Sequence, residues 1–99
     1  MSDSNHLFLQ HASDLMNDLN VHYMEAEFDD QVQLKEQLDR AMSDFSQAKL
    51  AILKHNIVCT SDDVKQMQQL RERLANAPNL QQILATVMSF VNFVRLRFL

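Results

Sequence analysis

Apolar positions recur along this chain with helical periods. The broadest pattern occupies Leu80–Leu99, just after the lone proline, Pro78. At 100° per residue, Leu80, Ile83, Leu84, Val87, Met88, Phe90, Val91, Val94 and Phe98 share an arc of roughly 160°. Only Arg95 interrupts that arc. An ordinary surface helix carries a stripe of about 100°, so this pattern predicts a helix covered by more than one neighbour. Burying the nine side chains contributes about 15–20 kcal/mol gross.

The cleanest pattern lies upstream. Leu34, Leu38, Ala41, Phe45, Ala48 and Ile52 repeat at 4-3-4-3-4, a coiled-coil seam that Met42 and Leu53 widen on one side. Gln37, Asp39, Ser43 and Gln47 mark a polar outer face, and the seam shows no inward carboxylate. Glu36 precedes Arg40 by four residues, the favourable order for a helix-surface ion pair. The pattern stops at His55–Asn56, where Asn tolerates the left-handed conformation and the β-branched Ile57, Val58 and Thr60 discourage continuation.

Before the seam, Ser2 or Ser4 can cap a first helix with the stripe Phe8, Ala12, Leu15, Leu19 and Ala26. A second stripe, Val21, Met24 and Phe28, falls on its opposite side. This predicts that the helix bends or ends near Asp29–Asp30, or is gripped from two sides in its later half. After the seam, Thr60-Ser61-Asp62-Asp63 supplies a cap and two acids for the positive end of a helix dipole. Val64, Met67, Leu70, Leu74 and Ala77 follow, until Asn76-Ala77-Pro78-Asn79 closes the segment. Four helices joined by short connections predict antiparallel neighbours. The expected fold class is all-α: a small antiparallel helical bundle of about four helices, or a helical hairpin completed by dimerisation. Residues 1–99 read as a single helical domain.

Composition narrows this further. The chain has no glycine and 46% apolar residues. Tight β-hairpins and phosphate-cradling loops both rely on glycine, so β-rich folds and dinucleotide or P-loop sites are not expected. The one cysteine, Cys59, cannot form an internal disulfide. With no export pattern at the N-terminus, a cytoplasmic setting is expected. The apolar run Ile83–Val94 is too short to span a bilayer and contains Thr86, Ser89 and Asn92.

The net charge of −4 argues against nucleic-acid binding. Its distribution is uneven. Residues 1–34 hold seven acids and no Lys or Arg, whereas residues 35–99 hold six acids and nine bases. These segments can attract one another, within the chain or between copies.

Chemistry is sparsely signalled. His11-x-x-Asp14 and His22-x-x-Glu25 place potential ligands on one helix face, but in the reverse order from the Glu-x-x-His pairs of di-metal bundles. His6 and His55 add no partner in pattern, so neither a metal site nor a cofactor is expected. Cys59 sits just ahead of a helix start, where a thiol can be activated, yet no nucleophile motif accompanies it. No catalytic residue is expected. Apart from Met1, the methionines lie on or beside the apolar stripes, as core filler or as an adaptable binding groove.

The C-terminal segment Arg95-Leu96-Arg97-Phe98-Leu99 is the least ordinary. Phe93 and Leu96 project to the side expected to face solvent, and the terminus stays apolar. Seam and final arc together are hard to satisfy in one copy. The sequence therefore reads as a non-enzymatic helical interaction module: an adaptor, small chaperone or regulatory subunit. Its expected contact residues are Phe93, Leu96, Phe98 and Leu99, then Val21, Met24 and Phe28. The partner is a protein or a second copy, as homodimer or obligate complex. No nucleic acid, small-molecule substrate or membrane surface is expected. The alternative is a structural subunit polymerising head to tail through helix packing. A small metalloprotein or enzyme is the remote one.

Overall fold

Each helix starts and stops for a local reason. In this computed structural model, which describes residues 3–99, α1 spans Asp3–Glu25, α2 Phe28–Lys54, α3 Ser61–Ala75 and α4 Leu80–Phe98. Ser4 lies inside α1 rather than at its cap, and Ser2 lies outside the described residues. The first helix ends at Glu25, before the expected Asp29–Asp30. At this corner the Tyr23 carbonyl accepts from Ala26 N at 3.3 Å and from Gln31 Nε2 at 2.9 Å, so a side chain of α2 satisfies the end of α1. Asp29 and Asp30 instead form the first turn of α2, where they complement its dipole.

At the other end of α2, Asn56 takes the left-handed conformation, with φ of 54°. Thr60 and Asp63 then close a reciprocal capping box. Thr60 Oγ1 accepts from Asp63 N at 3.2 Å, and Asp63 Oδ2 from Thr60 N at 2.8 Å. Asn79 caps α4 by accepting from Gln82 N at 3.0 Å.

All four helices share one buried cluster, giving the all-α bundle expected from the periodicities. Around the bundle the order is α1, α2, α4, α3, because α1 and α4, like α2 and α3, stand across a diagonal. The consecutive pairs α1–α2 and α3–α4 are antiparallel hairpins. The lateral pairs are parallel: Ser4 lies near Ser61 and Asp18 near Ala75, while Leu34 lies near Ile83 and Asp44 near Arg95. Short connections therefore do not make every neighbour antiparallel, since the link after α2 crosses the bundle end to reach α3. Asn5 pins that crossover. Its Nδ2 donates to the Ile57 carbonyl at 3.1 Å, and its Oδ1 accepts from Cys59 N at 2.6 Å.

Most of the broad arc of α4 is covered inside one copy, with Leu80 and Leu84 half-buried and Met88 exposed. Thr86, Val87, Phe90, Val91, Val94 and Phe98 are buried, with Ile83 and Phe93 packed against the cluster. The buried part of this arc needs no second chain, because α4 has α2 on one flank, α3 on the other and Phe8 of α1 reaching across. No helix among the described residues is long and apolar enough to cross a membrane.

Candidate functional site

The contact residues expected from the sequence divide into two groups. Phe98 is 8% exposed, and its ring lies 5.1 Å from that of Phe8. Phe93 completes a three-ring cluster, 6.1 Å from Phe8 and 6.2 Å from Phe98. Phe98 is a core residue, contrary to its expected role, and Phe93 is half-buried against it, because each ring leans from the flank of α4 onto α1. Leu96 points away at 90% exposure, and Leu99 is about half exposed. Val21 and Met24 near the end of α1, and Phe28 at the start of α2, are all exposed, Phe28 at 76%.

Two arginines hold the end of α4 in place. Arg95 Nε donates to Asp44 Oδ2 at 2.9 Å. Asp44 is 4% exposed on the inner side of α2, so an inward carboxylate does exist among residues 34–52. The sequence carried the signal: a guanidinium within an apolar arc calls for a facing acid. Arg97 Nε lies 3.2 Å from both Asp63 carboxylate oxygens, and its Nη2 donates to the Val58 carbonyl at 2.8 Å. Asp63 thus serves the α3 cap and the α4 terminus together.

Cys59 is buried beside this clamp. Burial, and secondarily the Asp63 carboxylate, push its thiol up from 9.0 to about 11, with Arg97 opposing. The position ahead of α3 therefore does not activate it.

A shallow polar cleft of about 440 Å³ runs between α1 and α3. Arg71 Nη1 sits 3.2 Å from His11 Nδ1 and 3.5 Å from Asp14 Oδ2, and Arg71 Nε 3.6 Å from Asp18 Oδ2. Gln68 Nε2 is 3.4 Å from His11 Nε2. Here the acidic first segment meets the basic remainder within the chain. His11 and Asp14 converge on the guanidinium rather than forming a ligand pair. His22 and Glu25 border a second cleft, beside Pro78 and Leu80. Among the described residues, no three His, Cys, Asp or Glu side chains gather as metal ligands.

The remaining feature is apolar and unpaired. Met24, Phe28 and Val32 are exposed over one α-helical corner and the first turns of α2. Glu25, Glu27, Asp29 and Asp30 lie along the same stretch of chain, Asp30 turned toward the cleft beside Pro78, and none makes an ion pair among the described residues. Further along α2, Met42, Leu50 and Leu53 are also exposed. Relative to Phe28, these three and Val32 fall within an arc of about 80°, roughly 120° around the helix from the core seam. The widening at Met42 and Leu53 thus belongs to a second stripe, which the sequence reading attached to the seam. No family model, curated protein or solved structure matches this chain.

Proposed function

We propose that this protein is a non-enzymatic helical interaction module, of the adaptor, small-chaperone or regulatory-subunit kind, acting in the cytoplasm on a protein partner or a second copy. It takes no cofactor, and its partner is not a nucleic acid, membrane surface or small molecule. The observation that carries this reading is the exposed ridge Met24–Phe28–Val32 with its four unpaired carboxylates. Exposing a large aromatic beside other apolar side chains is disfavoured in water unless something covers it. The working surface is therefore the α1–α2 corner and the outer stripe of α2, with Val21 at its margin. Phe98 is spent on the core, and Phe93 is half-buried against it. Leu96 and Leu99, at the opposite end of the bundle, favour the second reading, a helix-packed polymer with two distinct contact ends.

A photo-crosslinking amino acid at position 28, in the cells that make the protein, tests the first reading. Defined adducts are expected from position 28, lost on adding Met24→Asp, and none from the exposed position of Gln66 on α3. Equal labelling from both positions overturns it. Light scattering that grows without limit as concentration rises selects the polymer.

A further inference from the structure

The outer stripe of α2 is self-complementary, and we infer that its occupant is a second copy of this chain, with the two α2 helices packed antiparallel about a two-fold axis. This rests on the reading of that stripe as the working surface and names what covers it. α2 is the longest helix, with 27 residues. At 1.5 Å per residue it runs about 40 Å, the full 40 Å length of the bundle, so the stripe offers a lengthwise contact.

The first argument is register. Positions 28, 32, 35, 39, 42, 46, 49 and 53 follow 4-3-4-3-4-3-4 spacing along the stripe. Each adds to another member of the set to give 81: 28 with 53, 32 with 49, 35 with 46, 39 with 42. Turning one copy end over end about a point between Arg40 and Ala41 therefore lays the stripe on itself. Phe28 then meets Leu53, Val32 meets Lys49 and the neighbouring Leu50, and Met42 lies near the axis. Lys35, Asp39, Ser46 and Lys49 are the polar half of the set, and polar seam positions fix register and orientation.

The second argument is charge. The Phe28 end of the stripe carries Glu27, Asp29 and Asp30 without a base, and the Leu53 end carries the exposed Lys49 and Lys54 without an acid. None of these five makes an ion pair among the described residues. In the antiparallel pair, the acidic end of one α2 lies level with the lysine-bearing end of the other, with Asp29 on the same flank as Lys54 and Glu27 on the same flank as Lys49. A parallel pair sets acid on acid and base on base. An interface that uses one patch on both copies has this symmetry.

Cysteine pairing distinguishes the arrangements. One pool carries Phe28→Cys, and a second, size-tagged pool carries Leu53→Cys. Native Cys59 stays in place, being buried, and the unsubstituted protein is the control. Mild oxidation of the mixed pools is expected to give a disulfide-linked dimer, and neither pool alone gives one, since the two position-28 sites lie about 38 Å apart in the antiparallel pair. Sedimentation is expected to show twice the 11.5 kDa chain mass. Lys49→Glu with Lys54→Glu is expected to weaken self-association at least tenfold. Mixing it with a Glu27→Lys, Asp29→Lys chain is expected to restore it. A linked dimer from the Phe28→Cys pool alone overturns the antiparallel arrangement. A chain that stays at its single mass, with no linkage and no charge rescue, overturns the second copy as occupant. Adducts from position 28 to a different protein then leave the interaction-module reading standing, and their absence removes both.

Discussion

Phe98→Ala and Leu96→Ala remove apolar atoms two residues apart on the same helical turn, and the structure assigns them opposite consequences. Phe98 is buried against Phe8 and Phe93. Truncating a buried Phe costs about 3–5 kcal/mol through lost transfer energy and the cavity left behind. Each ring pair adds about 0.5–1.5 kcal/mol beyond area. Phe98 is the last residue of α4, where the backbone can partly close over a void, so about 3 kcal/mol is expected. For a domain of this size, 1 kcal/mol shifts the midpoint by about 4–8 °C, so Tm should fall by about 12–24 °C. Leu96 stands in solvent, and its truncation should stay within about 0.5 kcal/mol. Urea unfolding followed by far-ultraviolet circular dichroism, at one fixed protein concentration, reads both. A Phe98→Ala loss below about 1 kcal/mol, or a Leu96→Ala loss equal to it, refutes the assignment of the terminus to the bundle's own core.

Arg95→Met strands the buried Asp44 carboxylate and should cost about 1–3 kcal/mol, with Asp44→Asn restoring much of the loss; a double-mutant cycle in urea measures the coupling. Asn5→Ala removes both bonds to the crossover and should cost about 1–3 kcal/mol, with amide hydrogen exchange accelerating first at Cys59. Because the Cys59 thiol is held up at about 11 in the folded chain against 9.0 for the free group, the native state keeps its proton longer. Its contribution to stability is complete below pH 9 and is lost as pH rises toward 11. Stability profiles of the native protein and Cys59→Ser should therefore converge across that window, and parallel profiles would contradict the buried thiol.

The helices, the Thr60 cap and the left-handed Asn56 were legible in the sequence because each depends on neighbours three or four residues away. The fate of Phe93 and Phe98 was not. A helical wheel gives the direction of Cβ, while burial depends on which helices flank it, and the crossover to α3 decides that. Short connections suggested antiparallel neighbours throughout, but nothing local to residues 55–60 shows that the link runs over the bundle end. Asn5, more than fifty residues away, holds it there. Asp44 was hidden by its own register, since the seam accounts for the apolar positions and leaves an acid at its edge looking solvated. The second stripe on α2 was split between two patterns, because Val21, Met24 and Phe28 read as one helix until the corner at Ala26–Glu27 separated them.

The crossover also constrains how the chain assembles as it is made. The α1–α2 hairpin emerges first, yet each of its helices needs a partner from the second hairpin to close its apolar side. At about 5–20 residues per second, the stretch from His55 to Leu99 takes several seconds to synthesise. Throughout that interval the nascent half presents bare Leu, Phe and Ile side chains to the cell, so its early exposure to proteases and chaperones is set by topology rather than by final stability.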